Sequence, residues 1–275
     1  MPANSAILRQ LTSVDIPAAL ELSREAGWNQ TAQDWRILVE LAPESCLGIE
    51  YDGQLVSTAT MVCYGKQLAW IGMVLTAVSH RGRGYAKQLL TETLHRADEL
   101  GIASVKLDAT EQGQPLYEKL GFRAEQVVQR WEGRPSAQGC TDHAVADRIS
   151  KMHLQEDRTA FGADRSALLH KLSKQHHVFS KERAFLFTRP GRTHTYLGPC
   201  VAKSDLDARV LIEAALASES YSDFYWDVLA ASTSAISFAH ELGFTPKRQL
   251  LRMVRGHDLR ADEARIYGLA GFEFG

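Results

Sequence analysis

A tripeptide that comes back at long range constrains this chain most. Leu120-Gly121-Phe122 recurs 122 residues later as Leu242-Gly243-Phe244. Shifted by the same distance, residues 75–90 fall on 197–212, where Ala86 meets Ala208 and Leu89 meets Leu211. Ser204-x-x-Asp207 caps the helix that follows, and Phe224 to Leu229 takes the part of the strand Val105 to Ala109. A repeat of whole supersecondary units implies two related domains. At ~150 residues per domain, a chain of 275 residues has room for about two. The division reads as 1–133 and 141–275, with a Gly-, Pro- and Ser-rich linker at about 134–140. One domain with a helical tail is the competing arrangement.

Apolar residues at 45% and charged residues at 23% supply two cores and argue against disorder. Lys and Arg number 31 against 33 Asp and Glu, a net charge of −2 that gives nucleic acid or an anionic surface no global attraction. The longest apolar stretch, Leu68 to Val78, is too short to span a membrane. Met1-Pro2-Ala3-Asn4-Ser5 opens no basic-then-apolar leader. Cys46, Cys63, Cys140 and Cys200 are dispersed, as in reduced proteins of a cytoplasmic compartment.

The first half alternates two periodicities. A strand at 6–11 leads through Thr12-x-x-Asp15 into a helix, and Thr31-x-x-Asp34 caps a second helix. Cys46 to Tyr51 and Gln54 to Tyr64 flank Asp52-Gly53, a strong hairpin signal, and a third strand runs from Leu68 to Val78. A helix follows from Tyr85 to Leu100, then the strand Val105 to Ala109, a short helix at 115–120 and a strand at 123–131. The class is mixed α/β (α+β), each half a mostly antiparallel sheet flanked by helices.

The chemistry concentrates where the third strand meets the long helix. Arg81-Gly82-Arg83-Gly84-Tyr85-Ala86 is a glycine-rich basic loop at a helix start. Backbone N–H groups and the positive helix end converge there, so the segment suits an anion. Lys87 replaces the third glycine of a dinucleotide loop, and no Gly-Lys-Ser/Thr follows. The pattern Arg-x-x-Gly-x-Ala is weak alone. Its flanking strand and amphipathic helix, and Leu116-Tyr117-x-x-Leu120-Gly121-Phe122 one strand later, raise it.

Together these segments resemble the GNAT superfamily of N-acetyltransferases over residues 6–131. The resemblance implies acetyl-coenzyme A as donor, with its pyrophosphate on the amides of Arg81, Gly82, Arg83, Gly84, Tyr85 and Ala86. The pantetheine arm would pair with the backbone of Leu75, Ala77 and Val78, in a gap between strands ending near Val78 and Ala109. Tyr117 would be the acid that protonates the leaving thiolate; packing at the domain edge is its plain alternative. The family often places a basic carboxylate in the central strand, but Leu68 to Ser79 holds neither Asp nor Glu. Asp108 and Glu111 are the nearest candidates, Asp108 equally a strand-end cap, and bulk water could take the proton.

Trp28, Asn29, Asp34 and Trp35 gather at the break between the first helices and suggest an acceptor site, unless both tryptophans are core. In the second half Lys203, Leu206 and Ala239 stand for Arg81, Gly84 and Tyr117, so that half should not bind coenzyme A. It would complete the fold and wall the acceptor site. Asp164 reads as a helix cap, His176 and His177 as a solvated pair, and no histidines show metal spacing. The expectation is direct acetyl transfer to a small-molecule primary amine, without metal, nucleic acid or membrane partner. Cys46 and Cys63 lie away from the loop, which disfavours a covalent intermediate. A non-catalytic acyl-coenzyme A sensor is the alternative, and the oligomeric state is not legible.

Overall fold

The computed structural model describes residues 6–135, 149–218 and 222–275, so most of the expected linker, and Cys140, lie outside the described residues. Ile7–Gln10 (β1) precedes the helices Ile16–Glu25 (α1) and Ala32–Leu41 (α2), then the strands Cys46–Tyr51 (β2), Gln54–Tyr64 (β3) and Leu68–Thr76 (β4). Tyr85–Glu99 (α3), Ser104–Ala109 (β5), Gln114–Lys119 (α4) and Arg123–Gly133 (β6) complete the first half. The second half repeats the order. Lys151–Phe161 (α5) and Ser166–Ser173 (α6) precede His177–Lys181 (β7), Ala184–Arg189 (β8) and Thr195–Val201 (β9). Asp205–Ser218 (α7), Phe224–Leu229 (β10), Thr233–Glu241 (α8), Thr245–Gly256 (β11) and Ile266–Gly268 (β12) follow.

Local signals act as the sequence indicates. Thr31 Oγ1 accepts from the Asp34 amide at 3.3 Å, and Asp34 Oδ2 accepts from the Thr31 amide at 2.7 Å, closing the capping box of α2. Asp52 and Gly53 take φ of 51° and 74°, the pair of positive values that a two-residue turn between twisted strands requires. Asp164, one residue before the Arg165 N-cap of α6, accepts from the Ser166 amide at 3.0 Å.

The halves are not separate sheets. Twelve strands form one sheet, ordered β1-β2-β3-β4-β5-β11-β6-β10-β9-β8-β7, with β12 beside β9. The second half's β11 lies between β5 and β6, pairing Leu251 with Ala109 on one side and Val127 on the other. In return β6 pairs along β10, from Val128–Leu229 to Gly133–Phe224. Each half therefore lends its last long strand to the other. The division at 133–141 separates the repeats in sequence, while the strand ladder crosses it. The largest core also crosses it: Tyr64 and Trp70 meet Phe161, the Tyr64–Phe161 centroids 5.4 Å apart.

Candidate active site

The parallel ladder between β4 and β5 is short. It runs from Leu68–Ser104 to Trp70–Lys106 and stops. Beyond it the strands diverge. On the other side of β4, Thr58 pairs with Leu75 but Thr60 with Gly72, so Met73 and Val74 face a single residue of β3. This is a β-bulge, and Met73 adopts φ of 50°, a conformation uncommon for an unbranched side chain and held here by Thr58 Oγ1 donating to Met73 O at 2.8 Å. The bulge bends β4 away from β5. A pocket occupies the opening, bordered by Gly72, Met73 and Val74 of β4 and by Leu107, Asp108 and Thr110 at the end of β5.

At the mouth of this gap the chain turns through Arg81–Gly84 into α3. Gly84 has φ of 81° and offers no side-chain cap, and a Cβ built on it or on Gly82 would touch nothing within 4 Å. Among the described residues, the N–H groups of Gly82, Arg83, Gly84, Tyr85 and Ala86 have no acceptor. Four orphan donors at a helix start are an electrostatic well for an anion. Arg81 donates from Nε to Thr76 O at 3.2 Å, and Arg83 lies over the Tyr51 ring at 5.5 Å. Neither is paired with a carboxylate among the described residues, so both charges remain available. Leu75 is buried at the strand end. Ala77 departs from the expectation of a free backbone edge, because its amide donates to Val56 O at 2.9 Å on the β3 side. The Val78 amide donates to Glu25 Oε1 at 3.2 Å.

Tyr117, on α4, lines the same pocket and packs edge-on against Phe122 at 5.9 Å. Among the described residues its hydroxyl has no hydrogen-bond partner. Burial pushes its pKa up to about 12, so the phenol keeps its proton.

Three sequence expectations need correction. Asp108 borders the pocket, but its carboxylate is gripped by Arg252 Nε and Nη2 at 2.9 and 3.0 Å and its side chain is fully buried. A carboxylate neutralised by a guanidinium fork is a poor base. Glu111 is exposed on the turn after β5 and away from the pocket wall. Of the four acceptor candidates only Trp28 reaches the pocket. Trp35 is wholly buried with Nε1 donating to Ser23 Oγ at 3.0 Å, Asp34 is ion-paired to Arg189, and Asn29 fastens residues 193 and 194 through Oδ1 at 2.8 and 3.1 Å. Asn29 and Asp34 thus tie the halves together, while Trp35 joins α2 to α1 within the first. His176 is also corrected: its two ring nitrogens are buried without partners, whereas His177 is exposed.

The second half supplies the rest of the pocket: Arg248 and Leu250 of β11, and Phe272 and Glu273 beyond β12. Arg130 of the exchanged β6 completes it. Trp70 Nε1 donates to Phe272 O at 2.9 Å, and a Cβ on Gly72 would stand 2.9 Å from Glu273 Cα, so only glycine admits this approach. Arg189 Nη2 and Gln30 Nε2 donate to Glu273 at 2.8 and 2.9 Å. Burial, reinforced by Asp34, raises the Glu273 pKa against the pull of Arg189. The alternation Arg248-x-Leu250-x-Arg252 is visible in sequence, but nothing in it announces which strands lie alongside.

The counterpart in the second half is closed. Ser204 caps α7 by accepting from the Asp207 amide at 3.2 Å, Leu206 replaces the glycine, and the carboxylates of Asp205 and Asp207 occupy the helix start. β9 and β10 pair only at Thr195–Phe224 and Tyr196–Tyr225 before diverging. There β12 fills the gap, pairing with β9 at Val201 and Cys200, while Leu269 N donates to Asp227 O at 2.9 Å. Among the described residues no helix is long and apolar enough to cross a membrane.

Comparison with known proteins finds a separate match in each half. Residues 11–122 match a family model described as acetyltransferase (GNAT) family, and residues 154–268 match one described as acetyltransferase (GNAT) domain. The uncharacterized N-acetyltransferase YitH of Bacillus subtilis is 27% identical over 172 residues, 60% of this chain and 59% of the relative. Glucosamine 6-phosphate N-acetyltransferase of Trypanosoma brucei brucei is 32% identical over 84 residues, 28% of this chain and 57% of the relative. The matches thus span less than two thirds of either relative's length. A putative acetyltransferase from Pyrococcus horikoshii shares the fold with a TM-score of 0.88 at 20% identity, over 98% of this chain and 96% of its own. A tandem GNAT protein from the clavulanic acid biosynthesis pathway does so with a TM-score of 0.65 at 10% identity, over 91% and 98%.

Proposed function

We propose that this chain, a member of the GNAT acetyltransferase family with two of its domains in tandem, transfers an acetyl group from acetyl-coenzyme A to a primary amine of a small molecule. The observation that carries the reading is the junction of three features in the first half. The β4–β5 opening and the Tyr117 phenol border one pocket, and the chain leaving β4 runs on into the uncapped start of α3. The donor's diphosphate suits the free amides of Gly82 to Ala86, and Arg81 and Arg83 add charge at the rim.

Bound there, acetyl-coenzyme A supplies a thioester whose C–S bond breaks as the amine nitrogen bonds to the carbonyl carbon. The chain's residues orient and exclude water. Divergent β4 holds the two reactants side by side, which converts a bimolecular encounter into a positioned one. Tyr117 keeps a proton at Oη for the departing sulfur, and its burial ensures that the proton is present throughout the neutral range. An acceptor that arrives as the ammonium gives up two protons, one of which restores Tyr117, so acetylated amine, free thiol and one proton are produced.

The experiment is release of free thiol from acetyl-coenzyme A across a panel of small primary amines, with the acetylated amine identified by mass. Turnover with at least one amine is expected. Tight acetyl-coenzyme A binding with no turnover on any amine would instead assign the chain to sensing.

A further inference from the structure

The charges on the pocket wall do not balance locally. Asp108 is matched by Arg252, and Arg130 by Asp227, each through a two-bonded fork. Glu273 and Asp34 are both held by the guanidinium of Arg189. Arg248 differs. Its Nε is buried without a partner, and among the described residues no carboxylate pairs with it. It stands directly opposite Arg130 in the β11–β6 ladder, a like-charge arrangement that costs stability. Its guanidinium lies 5.2 Å from the Phe272 ring centroid, which positions the fork beside the opening.

A half-buried, unpartnered arginine is expensive to maintain unless something in the functional complex supplies its anion. We propose that the acceptor is an amine that also bears a carboxylate or phosphate group, with Arg248 receiving the anionic group. This rests on the reading of the pocket as the acceptor side of an acetyltransferase. The planar fork of Arg248 suits either oxyanion, and aromatic walls from Trp28 and Phe272 leave room for an apolar body.

The test compares matched amines on the whole protein with acetyl-coenzyme A. Phenylalanine is set against phenylalaninamide and phenethylamine, and phosphoethanolamine against ethanolamine. In the wild type the anionic member of at least one set is expected to have kcat/KM at least tenfold higher, and the preferred set separates carboxylate from phosphate. Arg248→Gln should lower that preference by about 10- to 100-fold, chiefly through KM, with Arg248→Lys intermediate. Equal turnover of neutral and anionic amines by the wild type overturns the inference while the acetyltransferase reading stands, even if the variants fail to fold. An unchanged preference in Arg248→Gln overturns the assignment to Arg248. If no amine releases thiol, the acetyltransferase reading fails. The rise in melting temperature with the same compounds then decides the pocket's charge preference: a larger rise with the anionic members supports it, and equal rises overturn it.

Discussion

Asp227→Asn separates a protein of two adjoining domains from one whose halves share their strands. Asp227 lies on β10 of the second half and accepts from Arg130 Nε and Nη2 on β6 of the first, at 2.7 and 2.6 Å. Both side chains are buried, at 5% and 1% exposure for Arg130 and Asp227, so water cannot replace the lost anion. The substitution keeps shape and removes charge, leaving Arg130 uncompensated and directly opposite Arg248. Breaking a buried pair from one side costs about 3–5 kcal/mol. For a chain of 275 residues unfolding as one unit at ~2.1 cal/mol/K per residue, that is a fall in Tm of roughly 5 to 9 °C. Calorimetry should show one transition, displaced as a whole, because neither half can complete its sheet without the other's strand. Arg130→Met with Asp227→Leu should recover most of the loss, since two matched apolar groups leave no orphan charge. Two separate transitions, with only the later half displaced, would refute the exchange of β6 and β11. A shift under about 2 °C would refute the energetic reading of the pair.

Three further outcomes follow from the first half and its neighbour. Gly84→Glu should weaken acetyl-coenzyme A at least about 100-fold by calorimetry, placing a carboxylate and a strained residue at φ of 81° where the free amides converge; Gly84→Ala, which brings only strain, should cost about 1 kcal/mol of stability. Tyr117→Phe should lower kcat by about 100-fold or more with acetyl-coenzyme A affinity nearly unchanged, because its hydroxyl holds nothing else in place. With the phenol at about 12, the wild-type rate profile should lack a falling limb from Tyr117 below about pH 11. For His176, burial first and then Arg189 lower the pKa from 6.5 to about 4. The neutral ring is the folded form, so its contribution is complete above about pH 6.5 and is lost as pH falls toward 4; His176→Leu should flatten that part of the Tm-against-pH curve.

The proposed donor side was recognisable in the sequence as a group because it is local. A strand, two glycines, two arginines and a helix start are contiguous, and their function depends on amides a few residues apart. The acceptor side was not. Trp28, Asn29, Asp34 and Trp35 looked like a cluster because they are close in sequence, yet the spacing of Trp35, Leu38 and Ala42 along α2 already places Trp35 on the core stripe. Period-two alternation identifies Arg248, Leu250 and Arg252 as sharing a face, but says nothing about the strand alongside. Strand exchange is invisible at this level, since β6 and β11 follow matching Leu-Gly-Phe turns and either could close either half. Partner choice is settled by packing between distant segments, here by Gly72 against Glu273 and by Arg189 holding Asp34 and Glu273 together.

Loss of the loop chemistry in the second half therefore did not free that half from the chemistry of the first. With β12 in the gap between β9 and β10 and two carboxylates at the start of α7, the second half has closed its own donor site. Its β11 nevertheless lies between β5 and β6, and its last residues wall the pocket beside Tyr117. The first half has no acidic residue in β4, and the backbone of Glu273 arrives from the far end of the chain against the one residue of β4 that lacks a side chain. The half whose own gap is closed thus contributes a strand and a tail to the wall of the open one.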